Sequence, residues 1–228
     1  MTDILFEDKS IIVCIKPAGL QSQGGKNDLV AVLDEYFSRT DPRAKAYPVH
    51  RLDKETSGVM VFAKTQRAAA ALSAQITRNE MKKHYYAVVQ GEPEGSGVFK
   101  DLLFHDRQKN KTYTVKRNRK GVKEASLEFK KIGSAENQAL VDILLHTGRT
   151  HQIRVQFASR KIPLLGDGKY GRGAVNKQYH ETRQALYSYK LAFAFTTDAG
   201  ALEYLRGREF TVDTVPFRDK YFPPQGKL

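Results

Sequence analysis

Alternating and continuous apolar positions predict that strands outnumber helices along this chain. Alternation of apolar and polar residues predicts strands at 83–90 and 185–195, and continuous apolar runs predict buried strands at 11–15 and 59–63. Further strands are expected at 4–6, 98–104, 111–116, 122–132 and 138–145, with a hairpin across 201–212. Because most neighbouring strands are joined by short turns, the pattern favours a mainly antiparallel sheet.

Four helices are predicted from helical spacing and capping residues. The first begins after Asn27 or Asp28 and ends near Ser38, and the second covers 66–79 behind the cap residue Thr65. The other two are expected at 151–160 and near 217–221. Few helices beside many strands predict an α+β fold rather than a doubly wound one.

The charge balance indicates an anionic partner. The 228 residues include 38 Lys and Arg against 25 Asp and Glu, which gives a formal net charge of +13. An excess of this size most often serves nucleic-acid binding. The length suits one large domain or two small ones, and we expect a single domain over 1–228 that ends in a frayed tail at 223–228.

Cysteine usage and the N-terminal sequence favour a soluble cytoplasmic protein. Cys14 is the single cysteine, so no internal disulfide can form, and a reducing compartment is natural. The N-terminus lacks the basic start and apolar segment of a signal peptide, and no apolar run reaches bilayer length. No membrane partner is expected.

A charged, turn-forming segment leads directly into a buried strand within residues 50–64 (HRLDKETSGVMVFAK). It brings His50, Arg51 and Asp53 onto a loop that a rigid strand supports. Such loops are frequent sites of chemistry. The alternative is a surface turn in which Arg51 and Asp53 form a weak ion pair.

A second polar cluster lies where a loop enters the helix predicted at 151–160. Residues 147–154 (TGRTHQIR) place Arg149, His151, Gln152 and Arg154 at this junction. Backbone donors at a helix start, together with two arginines, suit a phosphate or a carboxylate. The alternative is a helix cap with solvated arginines.

Other chemistries lack their sequence signatures. Residues 166–171 (GDGKYG) fit the spacing G-x-G-x-x-G, but the preceding strand and following apolar helix of a dinucleotide site are missing. His146 and His151 have no accompanying cysteine or carboxylate pattern, so hydrogen-bonding roles are favoured over metal binding. Asp53 has no second flanking carboxylate for glycoside hydrolysis, and no serine nucleophile motif is present. We therefore expect no cofactor and no metal.

Taken in order, five motifs resemble those of the RluA-type pseudouridine synthases. They are Lys16-Pro17-Ala18-Gly19, HRLDKETSG at 50–58, KHYYA at 83–87 with Gly91, TGRTHQIR at 147–154, and the segment from Pro163 through GDGKYG. The resemblance implies a mixed, mainly antiparallel β-sheet with flanking helices and a central catalytic cleft. It also implies cofactor-free isomerisation of specific uridines to pseudouridine in structured rRNA or tRNA. The small N-terminal RNA-binding domain of many relatives is not expected, because the motifs begin at once.

The same resemblance suggests individual roles. Asp53 is the implied catalytic aspartate, which either attacks C1′ or removes a sugar proton. Tyr85 is the implied active-site tyrosine, which stacks on the base or helps to remove the C5 proton, and Arg154 is the implied partner of Asp53. Arg51 matches the arginine that helps to extrude the target nucleotide. Further RNA contacts are expected from His50, Arg149, His151 and Gln152.

Two other functions are compatible with the same residues. The first is an RNA-binding or chaperone-like protein that keeps the fold without turnover. The second is a nucleoside or sugar hydrolase, which would release free uracil. We expect a monomer.

Overall fold

The computed structural model describes residues 2–223 in two compact units. The first contains the chain up to Lys83 together with Ser188–Val212, and the second contains His84–Tyr187 together with the residues from Asp213 onward. This division does not test the single-domain prediction, which stays a prediction. Of the predicted tail, the part after Pro223 lies outside the described residues.

Within residues 2–223 the chain forms eleven strands, five α-helices and one 3₁₀ helix. The strands are β1 (Asp3–Glu7), β2 (Ile11–Lys16), β3 (Tyr47–Pro48), β4 (Ser57–Ala63), β5 (Met81–Gln90), β6 (Ser96–Asp106), β7 (Lys111–Val115), β8 (Val122–Ala135), β9 (Gln138–Leu145), β10 (Leu186–Phe193) and β11 (Glu209–Thr211). The helices are α1 (Leu29–Thr40), α2 (Gln66–Thr77), α3 (Gln152–Ser159), α4 (Gly173–Gln178) and α5 (Pro216–Tyr221), and the 3₁₀ helix is Gly200–Leu205. With the exception of the hairpin expected across 201–212, the predicted elements are confirmed within a few residues.

The first unit is an antiparallel sheet with two capped helices. Strands β1 and β4 flank β2, and β3 and β10 also adjoin β4. Asp28 caps α1 by accepting a hydrogen bond from the amide of Ala31 at 2.9 Å. Thr65 caps α2 by accepting one from Ala68 at 3.2 Å, as the sequence predicted. Buried apolar residues of β2, β4, α2 and β10 form the core of this unit.

The predicted hairpin across 201–212 is wrong. Its first half is the 3₁₀ helix Gly200–Leu205, and its second half contains β11, which pairs antiparallel with β10. Leu202 and Leu205 are both fully buried in the core. Their spacing of three residues matches the 3₁₀ repeat, which places both on one face of this helix.

The second unit is also built from antiparallel strands. Strand β8 lies between β6 and β9, and β7 pairs with the outer side of β6. Phe157 of α3 packs edge-on against Phe99 and Phe129, with ring centroids 5.0 and 5.6 Å away. This aromatic contact fixes α3 on the sheet.

These observations confirm the α+β class, the mainly antiparallel sheet and the flanking helices. The predicted central cleft stays a prediction. No helix within residues 2–223 is both long and apolar enough to span a bilayer.

Candidate active site

Asp53 lies on the loop between β3 and β4, and its side chain is half-buried. Two side-chain contacts fix the loop just before it, because Ser22 Oγ accepts from the amide of Leu52 and donates to the carbonyl of the same residue, both at 3.0 Å. The amide of Thr56 donates to the carbonyl of Asp53 at 3.0 Å. Hydrogen bonds therefore hold the backbone on both sides of Asp53.

The Lys16-Pro17-Ala18-Gly19 motif holds the same loop through hydrogen bonds to its backbone. The ammonium of Lys16 is fully buried and donates to the carbonyls of Pro17, Leu20 and Lys54 at 2.9, 2.7 and 2.9 Å. The amide of Gly19 also donates to the Lys54 carbonyl at 2.9 Å. Three carbonyl acceptors match the three donors of an ammonium group. The motif therefore locks the residue that follows Asp53.

Electrostatic interactions link Lys16 with the acidic loop. Burial lowers the pKa of Lys16 to about 8, although the negative charges of Glu55 and Asp53 act to raise it. A buried ammonium attracts an anion more strongly than a solvated one does, because the local dielectric constant is lower. The Lys16 ammonium and the loop carboxylates therefore attract one another, which favours the position of the loop over Lys16.

His50 has a structural contact at the start of the same loop. Its Nε2 accepts a hydrogen bond from the amide of Val61 at 3.1 Å. Burial, followed by the positive charge of Lys83, lowers the pKa of His50 to about 3, so the ring is neutral at physiological pH. Arg51, the next residue, is exposed to solvent. The RNA-binding roles of His50 and Arg51 stay predictions.

Gly58 ends the motif at a close approach between backbones. Its φ is +125°, and a β-carbon at this position would lie 2.2 Å from the carbonyl oxygen of Ser188. A side chain would therefore force apart β4 and the neighbouring strand β10. Glycine is required here for both reasons.

Tyr85 lies within β5, in the second unit, and is buried. Alternation along the strand places it on the same face as Lys83 and Ala87, which are also buried. Its role as the active-site tyrosine stays a prediction.

Arg154 lies in α3 and forms a buried, bidentate ion pair with Asp167. Its Nε and one terminal nitrogen donate to the two carboxylate oxygens at 2.7 and 2.9 Å. Asp167 also accepts from the amides of Lys169 and Tyr170 at 2.8 and 3.0 Å. Burial by itself would raise the pKa of Asp167, but the Arg154 guanidinium and the two amides lower it below its usual value. This ion pair does not test the predicted contact between Arg154 and Asp53, which stays a prediction.

Tyr170 connects the TGRTHQIR motif with the segment that ends in GDGKYG. Its hydroxyl accepts from the amide of Thr112 at 2.7 Å and hydrogen-bonds with Nδ1 of His151 at 2.9 Å. The Arg154 guanidinium lies over the Tyr170 ring, 5.2 Å from its centroid. His151 has a left-handed backbone conformation (φ +55°), which is uncommon for a residue other than glycine. Tyr170 therefore contacts both Arg154 and the residue that precedes α3.

Sequence reasoning missed Asp167 and Tyr170 as site residues, because it considered 166–171 as a nucleotide-binding pattern and as a family motif without assigning a role to any of its side chains. One signal was available. An acidic residue that closely follows the apolar pair Leu164-Leu165 is placed for burial, and a buried carboxylate requires a counter-charge.

Gln152 organises the loop before α3. Its Oε1 accepts from Thr147 Oγ1 at 2.7 Å and from the amide of Arg149 at 3.0 Å, while its Nε2 donates to the Ser126 carbonyl at 3.1 Å. Nε of Arg149 donates to the Glu124 carbonyl at 2.9 Å. The RNA contacts predicted for Arg149, His151 and Gln152 stay predictions. Among the residues described, no group of three or more His, Cys, Asp or Glu side chains is placed to hold a metal ion.

Comparison with known sequences gives consistent matches. The profile of the RNA pseudouridylate synthase family matches residues 10–159. An uncharacterized RNA pseudouridine synthase of Bacillus subtilis, YhcT, is 36% identical over 83% of this chain and 63% of its own length. Ribosomal large subunit pseudouridine synthase D of Zymomonas mobilis is 34% identical over 84% of this chain and 64% of its own length. The chain thus spans less than two thirds of these relatives.

Solved structures support the fold. The human protein called RNA pseudouridylate synthase domain containing 4 superposes with a TM-score of 0.76, at 23% identity, over 94% of this chain and 89% of its own. The human domain-containing 1 protein gives a TM-score of 0.75, at 18% identity, over 96% of this chain and 86% of its own. At this level of identity the likeness concerns the fold alone.

Proposed function

Because the chain belongs to the RNA pseudouridylate synthase family, we propose that it isomerises specific uridines of structured RNA to pseudouridine, with Asp53 as the catalytic nucleophile or base. The observation that carries this proposal is the position of Asp53 on a loop that Ser22 and the Lys16 ammonium fix on either side. A residue whose backbone is already fixed loses less conformational freedom when a substrate binds. Ribosomal RNA is the first substrate to test, because several relatives are named for the large ribosomal subunit, and tRNA is the second.

The reaction breaks the bond from C1′ to N1 and forms a bond from C1′ to C5 of the same uracil. The hydrogen at C5 leaves as a proton, and N1 gains one, so no electrons are exchanged with an outside group. The chemistry therefore needs one group at the sugar and one proton acceptor near C5. The Asp53 carboxylate acts on the sugar, either by attacking C1′ or by removing a sugar proton. Tyr85 stacks on the base or assists the loss of the C5 proton.

Arg154 completes the proposed site as the cationic partner of Asp53. A guanidinium with planar donors suits a carboxylate, and its orientation determines which atoms it can reach. The bidentate contact with Asp167 and the Tyr170 ring beneath it fix that orientation. We assign Asp167 and Tyr170 as positioning residues for Arg154.

The target nucleotide must leave its stack before either step. Extrusion of a base costs a few kcal/mol, and less where the base is already unpaired. Arg51 lies two residues before Asp53 and is exposed to solvent. In this proposal its side chain fills the space in the RNA that the extruded base leaves. The net charge of +13 offsets repulsion among the phosphates.

A pseudouridine map of total RNA, made from cells with and without this protein, tests the proposal. Carbodiimide labelling stops reverse transcription at pseudouridine, and we expect at least one ribosomal or transfer RNA position to lose its stop when the protein is absent. An unchanged map would contradict the proposal. RNA binding by the purified protein without isomerisation would favour a silent RNA-binding protein, and release of free uracil would favour a hydrolase.

A further inference from the structure

One face of the sheet in the second unit exposes two aromatic residues side by side. Strand β6 lies between β7 and β8, and its residue Phe104 is paired with Tyr113 of β7 and with Val122 of β8. Paired residues of neighbouring strands project from the same face of a sheet. Two residues before Phe104, the pair of Leu102 and Val115 lies on this face as well. These five residues form what we call the Phe104 face.

The two faces of these strands differ in what covers them. On the opposite face, Leu103 and Ala125 pack against Val155 of α3 and are buried. The residues of the Phe104 face are all exposed or half-buried, and Tyr113 is 38% exposed. Large apolar groups left open to solvent by a folded sheet often mark a binding surface.

A cationic group adjoins each ring of the Phe104 face. The guanidinium of Arg119 lies 5.1 Å from the centroid of the Phe104 ring, and the ammonium of Lys111 lies 5.8 Å from the centroid of the Tyr113 ring. Arg119 belongs to the turn between β7 and β8, and Lys111 begins β7. Aromatic rings and arginine planes are the groups on which proteins stack unpaired bases.

The turn between β7 and β8 adds positive charge beside the rings. All of its cationic side chains are exposed, namely Lys116, Arg117, Arg119 and Lys120. The acidic residues that these strands place on the same side of the sheet are Asp106, opposite Lys111, and Glu124, opposite Leu102. Positive charge therefore exceeds negative charge around the Phe104 face, which suits the phosphates of a nucleic acid.

We propose that the Phe104 face binds a single-stranded segment of the RNA. Unpaired bases stack on the rings of Phe104 and Tyr113 and on the Arg119 guanidinium, while phosphates contact the cations of the turn. A paired base has both of its faces covered within the helix, so a duplex could use the charges but not the rings. The inference rests on the proposed function, in that RNA is taken as the ligand.

A protein partner is the other class of occupant for an exposed apolar face. Lysine is depleted in protein–protein interfaces. Here Lys111 adjoins the Tyr113 ring, and two further lysines lie in the adjacent turn. This composition favours RNA.

Binding of two RNA probes to the full-length protein tests the proposal. The first is a single strand of about ten nucleotides, within the range that single-strand-binding folds cover. It contains only adenine and cytosine, so it offers no uridine to a catalytic site. The second is the same strand paired with its complement as a blunt duplex.

Two pairs of variants separate stacking from charge. Tyr113→Leu removes an exposed ring, and Tyr113→Phe is its control because it keeps the ring. Arg119→Gln removes the charge beside Phe104. Its control is Lys123→Gln, which removes one charge from an exposed residue on the opposite face, since Lys123 is paired with Leu103.

We expect Tyr113→Leu to raise the Kd for the single strand by roughly 5- to 150-fold, the range for loss of base–aromatic stacking, and to leave the Kd for the duplex unchanged. Tyr113→Phe should bind the single strand as the wild type does. Arg119→Gln should weaken single-strand binding more than Lys123→Gln does. Phe104→Leu should act like Tyr113→Leu, and Tyr113→Leu remains informative if Phe104→Leu lowers stability, because Tyr113 is the more exposed of the two.

Equal losses of single-strand and duplex affinity in Tyr113→Leu would overturn the proposal, and so would no loss in either. Equal weakening by Arg119→Gln and Lys123→Gln would overturn it as well, because the charge would then act without a defined site. A wild-type protein that binds neither probe, or that self-associates through Tyr113, would also contradict it. The two proposals fail separately. Pseudouridine formation without ring-dependent binding refutes the Phe104 face alone, whereas ring-dependent binding with an unchanged pseudouridine map refutes the enzymatic function alone.

Discussion

At the scale of single residues, the buried ion pair of Arg154 and Asp167 is the feature of the second unit that bears most directly on the role proposed for Arg154. Two charges removed from water are tolerated only when each has a partner of good geometry. The bidentate contact meets this condition, and the two amides that donate to Asp167 complete its hydrogen bonding. Arg154 can therefore keep its charge while it is almost fully buried.

Replacing Asp167 by Asn should cost about 3–5 kcal/mol of unfolding free energy, because it removes the carboxylate that pairs bidentately with the buried Arg154 guanidinium. Urea unfolding measures the change. The control is Glu35→Gln, which removes an ion pair with Arg39 whose side chains are 68% and 72% exposed. Such exposed pairs contribute about 0–1 kcal/mol. Equal losses in the two variants would show that Arg154 does not depend on Asp167.

The neutral state of His50 predicts a specific pH dependence of stability. The pKa of His50 is about 3 in the folded protein, whereas an unfolded histidine has a value of about 6.5. Between about pH 3 and pH 6.5 the imidazole of His50 binds a proton in the unfolded chain but not in the folded protein. The contribution of His50 to the free energy of unfolding is therefore complete above about pH 6.5 and falls by roughly 1.4 kcal/mol per pH unit below it.

Unfolding of the wild type and of His50→Gln by urea, from pH 7.5 to pH 4, isolates this contribution. We expect the difference between their unfolding free energies to shift in favour of the variant as the pH falls, since glutamine does not titrate. Parallel curves would mean that His50 accepts a proton in the folded state as readily as in the unfolded one.

At the scale of elements, the sequence predicted strands and helices well and tertiary contacts poorly. Strand β4 was predictable because six of its seven residues are buried, which requires a continuous apolar run. The pairing of Arg154 with Asp167 was not, because the turn between them depends on Gly166 at φ +73° and on packing that periodicity does not encode. The family resemblance identified Asp53, Tyr85 and Arg154 as candidates, whereas the role of Lys16 required the three carbonyls around its ammonium.

Gly58→Ala should disrupt the junction of β4 and β10. The added methyl group would meet the Ser188 carbonyl, and the backbone would keep a strained φ, with each effect costing about 1–3 kcal/mol. Thermal unfolding should show a large fall in Tm or a loss of soluble protein. The control is Gly95→Ala, where a β-carbon meets nothing within 4 Å, and we expect a change of no more than about 0.5 kcal/mol there. A stable Gly58→Ala protein would refute the required close approach.

At the scale of the whole molecule, the basic excess is the property that most concerns RNA. The charge of +13 is spread along the chain rather than gathered in a tail. Charge on a folded surface attracts RNA at long range and places no demand on its sequence. The selection of one uridine must therefore come from local contacts between the protein and the RNA.

RNA affinity should fall steeply with salt. If four phosphates are contacted, raising the salt from 50 to 200 mM should increase Kd by roughly a hundredfold, because the bound counterions are released on association. Fluorescence anisotropy with a labelled RNA hairpin measures the slope. A flat response would mean that the positive charge is not used on RNA.

The direct test of the central claim compares Asp53→Asn with the wild type on the RNA that the pseudouridine map identifies. Asparagine preserves the size of the side chain, so RNA binding should stay within about threefold of the wild type, as expected when only a transition-state interaction is lost. The matched control is Glu55→Gln, which removes a carboxylate from the same loop and should retain turnover. We predict bound RNA without detectable pseudouridine for Asp53→Asn. Pseudouridine formation by Asp53→Asn at the wild-type rate would contradict the account.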